Sequence, residues 1–170
     1  MNTAIRFLLV ALLATLALVA CKKEEQAKPA PTPAAAPVVT LTVPTNDDRD
    51  AWKAYLSQVV KANMEGRKYR RPFVYWIPGG DDEESQRQYQ DQLDNVSNAV
   101  GRGIQAGSMI AFGSSNSAKM ADLVTESFKF AAPKSLKGVR VVFIGATADE
   151  QRVREVVAPT EADFVFVEAK

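Results

Sequence analysis

Hydroxyls and carboxylates gather beside glycine at three places in this chain, and these are the stretches whose residue types could do chemistry. They are Pro78-Gly79-Gly80-Asp81-Asp82, Gly113-Ser114-Ser115-Asn116-Ser117 and Gly145-Ala146-Thr147-Ala148-Asp149. Glycine lets a backbone come close to a ligand, and exposed amides with hydroxyls at a helix start hold anions. The candidate ligand-binding residues are therefore Gly79, Gly80, Asp81, Gly113, Ser114, Ser115, Ser117, Gly145 and Thr147. Asp81, Asp82, Asp149 and Glu150 offer oxygen ligands for a hard cation instead. The same residues also serve folding alone, since strand-to-helix turns take glycine and first-turn acids meet the positive end of the helix dipole.

Sharper chemical readings fail on particular residues. Ser115 stands in the nucleophile slot of a G-x-S-x-G elbow, but Ser117 replaces the second glycine and the chain has no histidine to act as base. The stretch resembles the D-x-S-x-S metal loop of von Willebrand A-type domains, with Gly113 where the aspartate belongs. Lys119 is not spaced as a Walker A loop requires, and no D-x-D or EF-hand spacing appears. A receiver-type phosphoacceptor would need a set of Asp and Lys at strand ends that is incomplete here. Without histidine there is no Ser-His-Asp or Cys-His triad and no His-containing zinc site. Cys21 is the single cysteine, so neither a C-x-x-C redox centre nor an intramolecular disulfide can form. No motif calls for a cofactor or a metal, and none is expected.

The elements that would position these stretches alternate in type. A helix over 47–65, capped by Thr45 or Asn46, carries Trp52, Tyr55, Leu56, Val59 and Val60 on one face, and Gly66 stops it. Phe73–Ile77 reads as a strand buried on both faces, followed by a long polar helix over 82–102 with Tyr89, Leu93, Val96 and Val100 inward. A second strand over 108–112 leads through the Gly113 stretch to a helix over 117–131. A third strand over 139–144 precedes a helix over 148–157, and a fourth covers 163–168. The alternation predicts an α/β fold: a small three-layer domain with a four-stranded, mainly parallel sheet, helices on both faces, and an N-terminal helix before it. In such sheets ligands bind at the strand C-terminal edge, where the three glycine stretches would meet.

The start of the chain bears on where the domain resides. Arg6 is the only charge before Cys21, and the run Phe7 to Ala20 is apolar except for Thr15. At ~1.5 Å per residue those residues are too short to cross a ~30 Å hydrocarbon core as a helix, so a secretory leader fits better than a permanent span. Leu18-Val19-Ala20-Cys21 resembles the lipobox of bacterial lipoproteins. The resemblance implies cleavage before Cys21, lipidation of that cysteine, and three acyl chains on the mature N-terminus. One chain holds a protein only marginally, whereas several give stable attachment. Lys22, not Asp, follows Cys21, which by the enterobacterial sorting rule implies the outer membrane, facing the periplasm. Residues 21–45 hold Pro29, Pro31, Pro33, Pro37 and Pro44 among alanines and read as an extended tether, roughly 25–30 Å across as a coil. A short added strand over Val38–Val43 is the competing reading.

The expected organisation is thus a signal peptide over 1–20, a lipidated cysteine and tether over 21–45, and one α/β domain over 46–170. From Asn46 onward 17 Lys and Arg face 18 Asp and Glu, so no global charge steers the domain toward nucleic acid. Arg67, Lys68, Arg70 and Arg71 form the one dense cationic cluster, suited either to an anionic envelope partner or to a solvated helix end. The leading expectation is a membrane-anchored envelope lipoprotein whose domain is a non-enzymatic interaction module. Its partners would be the membrane, through the lipid, and an envelope protein or peptidoglycan. A module binding a small molecule or anion at the strand C-terminal edge is the second expectation, and a metal-dependent hydrolase a distant third.

Overall fold

The structure, a computed structural model, describes residues 42–65 and 72–169. The leader, Cys21, most of the tether, and Arg67, Lys68, Arg70 and Arg71 lie outside the described residues. Nine elements follow one another: α1 (Arg49–Asn63), β1 (Phe73–Ile77), α2 (Glu83–Arg102), β2 (Met109–Ser114), α3 (Ser117–Phe128), β3 (Arg140–Gly145), α4 (Thr147–Val157), a short 3-10 turn (Ala158–Thr160) and β4 (Asp163–Glu168). The expected α/β architecture is present, and all three strand pairings are parallel.

The strands lie in the order β1-β2-β3-β4. Parallel neighbours must be joined by crossovers, and right-handed crossovers stepping always in one direction put every connecting helix on the same face. Val96 and Val100 of α2, Met120, Leu123 and Phe128 of α3, and Val153 and Val157 of α4 accordingly share one core. The strand side chains entering it include a row of aromatics in register, Tyr75, Phe112, Phe143 and Phe166. Tyr75 stacks on Phe112 at 5.6 Å between ring centroids, and Phe143 on Phe166 at 6.3 Å.

On the other face the helix among the described residues is α1. Trp52, Tyr55, Leu56, Val59 and Val60 pack on Met109, Ala111, Val142 and Ile144, the residues that strand alternation turns away from the first core. Burying a side chain such as Leu56 stabilises the fold by about 1.5–3 kcal/mol. The seat for α1 is made by small residues. A Cβ built on Gly113 would lie 2.7 Å from Leu56 Cδ2 and 3.4 Å from Trp52 Cζ3, so the helix can settle on β2 only where the strand has no side chain.

Several boundaries differ from expectation, and for three of them the physical reason is plain. Gly113 and Ser114, expected in a loop, continue β2, because Gly113 pairs with both Trp76 and Ile144, and Ser114 with Ile77. Gly145 likewise belongs to β3, opposite Glu168. The cap of α1 is Asp48 rather than Thr45 or Asn46. Its carboxylate accepts from Asp50 N at 3.0 Å and Ala51 N at 2.9 Å, while Asn46 gives its carbonyl to the Trp52 indole at 2.8 Å.

Candidate functional site

The three glycine stretches do meet at the C-terminal edge of the sheet, and there they bond to one another. Asp82 caps α2 through Ser85 N, and Asn116 caps α3 through Lys119 N at 3.1 Å. From that cap position the Asn116 amide also reaches Gly79 O at 3.4 Å. Lys119, one turn into α3, donates its ammonium to Gly80 O and lies 3.4 Å from Asp81 Oδ1. The backbones approach so closely that a Cβ on Gly79 would collide with the Ser115 hydroxyl and Asn116. Neither Gly79 nor Gly80 adopts a positive φ, so closeness and not backbone freedom selects glycine here.

Asp47 holds the centre of this arrangement. It stands just before α1, and its carboxylate accepts from Gly79 N at 2.7 Å, from Gly80 N at 3.2 Å and from the Ser115 hydroxyl. Burial pushes its pKa up, but the bonds from Gly79, Ser115 and Gly80, with the Lys119 charge, outweigh that and hold the carboxyl below its ordinary value. The donors that would cradle an external anion are thus bonded to an internal one. The pairing also disarms Ser115: a carboxylate made more acidic is a weaker base, and no imidazole is available to take the hydroxyl proton.

A second knot joins the remaining loop. The Ser117 hydroxyl donates to Asp149 Oδ2 at 2.6 Å and accepts from Ala146 N at 2.7 Å. Asp149, at 9% exposure, is further held by Arg152 at 2.7 Å, and Arg152 also reaches Ala118 O at 2.8 Å and the Asp122 carboxylate. Gly145 makes room for this knot, since a Cβ there would meet Ser117 and the Phe143 ring. Thr147 donates to Glu168 Oε1 at 2.9 Å, and Ser114, buried at the end of β2, accepts from Asn116 N at 3.1 Å. Asp81, Asp82, Asp149 and Glu150 therefore each have a partner or a cap to serve, and among the described residues no three acids converge as a metal site would require.

Sequence reasoning placed the loops together but missed Asp47. The missing signal is long range: Asp47 meets Gly79 across 32 residues and Ser115 across 68, and no local spacing encodes either contact. The expectation of a ligand crevice at this edge drew on sheets whose strand order reverses. An uninterrupted β1-β2-β3-β4 order has no reversal and opens no such crevice between diverging helices.

Two of the open grooves on the described residues lie beside the sheet's β1 side. One, of about 580 Å3, runs beside the edge between α2 and α3 and is lined by Asp81, Gln86, Arg87, Tyr89, Lys119 and Asp122. Its charges are largely matched, Lys119 with Asp81, Arg87 with Glu83 and Glu84, and Asp122 with Arg152. The other, of about 550 Å3, lies along β1 between α1 and α2 and is lined by Arg49, Lys53, Leu56, Val74, Trp76 and Gln92. No family model, curated protein or solved structure matches the chain at a significant level.

Proposed function

We propose that this chain is a membrane-anchored lipoprotein of the bacterial cell envelope whose α/β domain is a non-enzymatic interaction module. The anchoring half of the reading rests on Leu18-Val19-Ala20-Cys21 and the Pro- and Ala-rich segment after it. The observation that carries the other half is the closed state of the strand C-terminal edge. There the hydroxyls and carboxylates suited to chemistry bond to one another around Asp47 and Asp149. The hydroxyl protons of Ser115 and Ser117 are already donated within the chain, to Asp47 and Asp149.

The rival reading, a small molecule or anion held at that edge, requires the ligand to displace the Asp47 carboxylate from two amides and a hydroxyl within its own chain. An intramolecular carboxylate competes at high effective concentration, so the rival starts at a disadvantage. The interaction reading leaves these knots intact and uses exposed surface elsewhere.

The test is crosslinking in intact cells, with photoreactive side chains placed in turn at Arg67, Arg71, Val74 and Phe130. The reading expects one envelope protein, or peptidoglycan, to be captured reproducibly from at least one position. Capture of nothing above an unirradiated control at all four would refute it. For the rival, melting of the full chain is followed with inorganic phosphate and with Mg2+; a shift abolished by Ser115→Ala would promote it over the interaction reading.

A further inference from the structure

Among the described residues strand β1 is an edge of the sheet, with β2 as its sole strand partner. Among those residues nothing pairs with the other side of its backbone, and no hydrogen bond from another element reaches it. Exposed edges are normally blunted by charge, proline or bulges, because they pair readily with other strands. The opposite edge is blunted in that way: β4 opens on Asp163, closes on Glu168, and carries the Arg154 guanidinium 4.6 Å above the Phe164 ring. Within Phe73–Ile77 there is no charge, no proline and no bulge, and its two neighbours Pro72 and Pro78 only limit its length.

The side chains around this edge are also incomplete. Phe73 and Val74 are each 43% exposed, and strand alternation points them to opposite faces, so apolar surface lies open on both sides of the edge. The Trp76 indole N–H is buried and finds no acceptor among the described residues. Above it, Arg49 and Lys53 stand one helical turn apart on the groove wall, with the Arg49 guanidinium 5.9 Å from the Trp76 ring centroid. Neither cation meets a carboxylate among the described residues. Asp50 shares the wall, which leaves it with one net positive charge.

We infer that the open edge of β1 receives an extended acidic segment of a partner protein as a fifth strand. This rests on the interaction reading above and names the class of partner. The incoming backbone pairs with β1, one set of alternate side chains covers Phe73, and the other set brings carboxylates to Arg49 and Lys53 beside Val74 and Trp76. Strand addition draws affinity from main-chain hydrogen bonds and selectivity from alternate side chains, which matches what this edge leaves unsatisfied. The charge on the wall decides between occupants. A second copy would present another uncharged Phe73–Ile77, and the chain's own Val38–Val43 carries no acid either.

The test uses the full chain and a six-residue synthetic peptide in which Glu and Val alternate, a length that spans β1 at ~3.3 Å per residue. Saturable binding is expected, with hydrogen exchange at those Phe73–Ile77 amides that do not bond to β2 slowed at least about tenfold at saturation. N-methylation at alternate peptide residues should abolish binding without any change to the protein. Arg49→Glu with Lys53→Glu should weaken the acidic peptide on the order of tenfold and favour a Lys-Val version instead. Both positions are exposed, and unchanged circular dichroism of the double variant establishes that it folds. The inference is overturned by absence of binding up to about 1 mM, an affinity of only ~4 kcal/mol. Binding that survives N-methylation, or that ignores the charge swap, overturns it equally. Protection, in the free chain, of the β1 amides that do not bond to β2 overturns it too, by assigning the edge to a second copy if sedimentation shows a dimer, or to Val38–Val43 if it shows a monomer. A failure here alongside cellular crosslinks elsewhere on the domain refutes only this edge; a failure with no crosslinks at all refutes the interaction reading itself.

Discussion

Replacing Asp47 by asparagine asks whether the edge loops are held by a carboxylate, as the geometry requires. Asp47 accepts three hydrogen bonds, from Gly79 N at 2.7 Å, Gly80 N at 3.2 Å and the Ser115 hydroxyl. Asp47→Asn keeps one acceptor oxygen and turns an amide donor toward donors, so at least one bond is lost and the charge goes with it. A hydrogen bond to a charged group contributes ~1.5–3 kcal/mol when well shielded, but this carboxylate faces solvent, and the expected loss falls to about 1–2 kcal/mol. Urea denaturation of the full chain should show the midpoint lowered by ~0.5–1 M at unchanged slope, since slopes for domains of this size are ~1.5–2 kcal/mol per M. The pH dependence gives an independent sign. The folded pKa of Asp47 lies below the ordinary aspartate value of 3.8, so its stabilisation is full above that value and disappears as pH falls through the lower folded value. The gap between wild type and variant should therefore hold at neutral pH and close in acid. A gap below about 0.3 kcal/mol at pH 7, within the scatter of ordinary surface substitutions, would refute the reasoning, as would a gap indifferent to acid.

Other consequences follow from the same contacts. Gly113→Ala drives a methyl against Leu56 and Trp52, and should destabilise by about 1–3 kcal/mol with a change in Trp fluorescence as α1 lifts from β2. Asn116→Ala removes the cap of α3 and the bridge to Gly79, costing about 1 kcal/mol by the same denaturation assay. Phe112→Ala opens the middle of the aromatic row between Tyr75 and Phe143, and a loss of about 3–5 kcal/mol is expected, enough to lower the melting temperature by more than 10 °C.

Most of the fold was legible from periodicity. The strand at Val141–Ile144 and the helical stripes at Val96 and Val100 depend on near neighbours, and near neighbours are what a sequence displays. Phe73–Ile77 is a strand as expected, but not one buried on both faces: it lies at the sheet's edge with Phe73 and Val74 exposed, because burial depends on which strand ends up outermost. Strand order was only half legible. Right-handed crossovers limit the choices, but the consistent direction that yields β1-β2-β3-β4 is settled by packing across the whole sheet. Gly113 shows the limit most clearly. Beside Ser114 and Ser115 it looks like a loop glycine awaiting a ligand, yet its space is taken by Leu56, which is distant in the chain. The candidate edge was legible as a meeting of loops and opaque as to content, because Asp47 reaches Gly79 and Ser115 only after α1 has crossed the opposite face.

The attachment point proposed above is Cys21, the single cysteine of the sequence. The most direct measurement is the intact mass and N-terminal peptide of the mature chain recovered from bacterial membranes, with Cys21→Ser alongside. The account predicts that the mature chain begins at Cys21 and carries diacylglycerol on its sulfur and a third acyl chain on its amino group, and that Cys21→Ser loses both the lipid and the cleavage. A mature chain that begins elsewhere, or a Cys21 free of lipid, would contradict it.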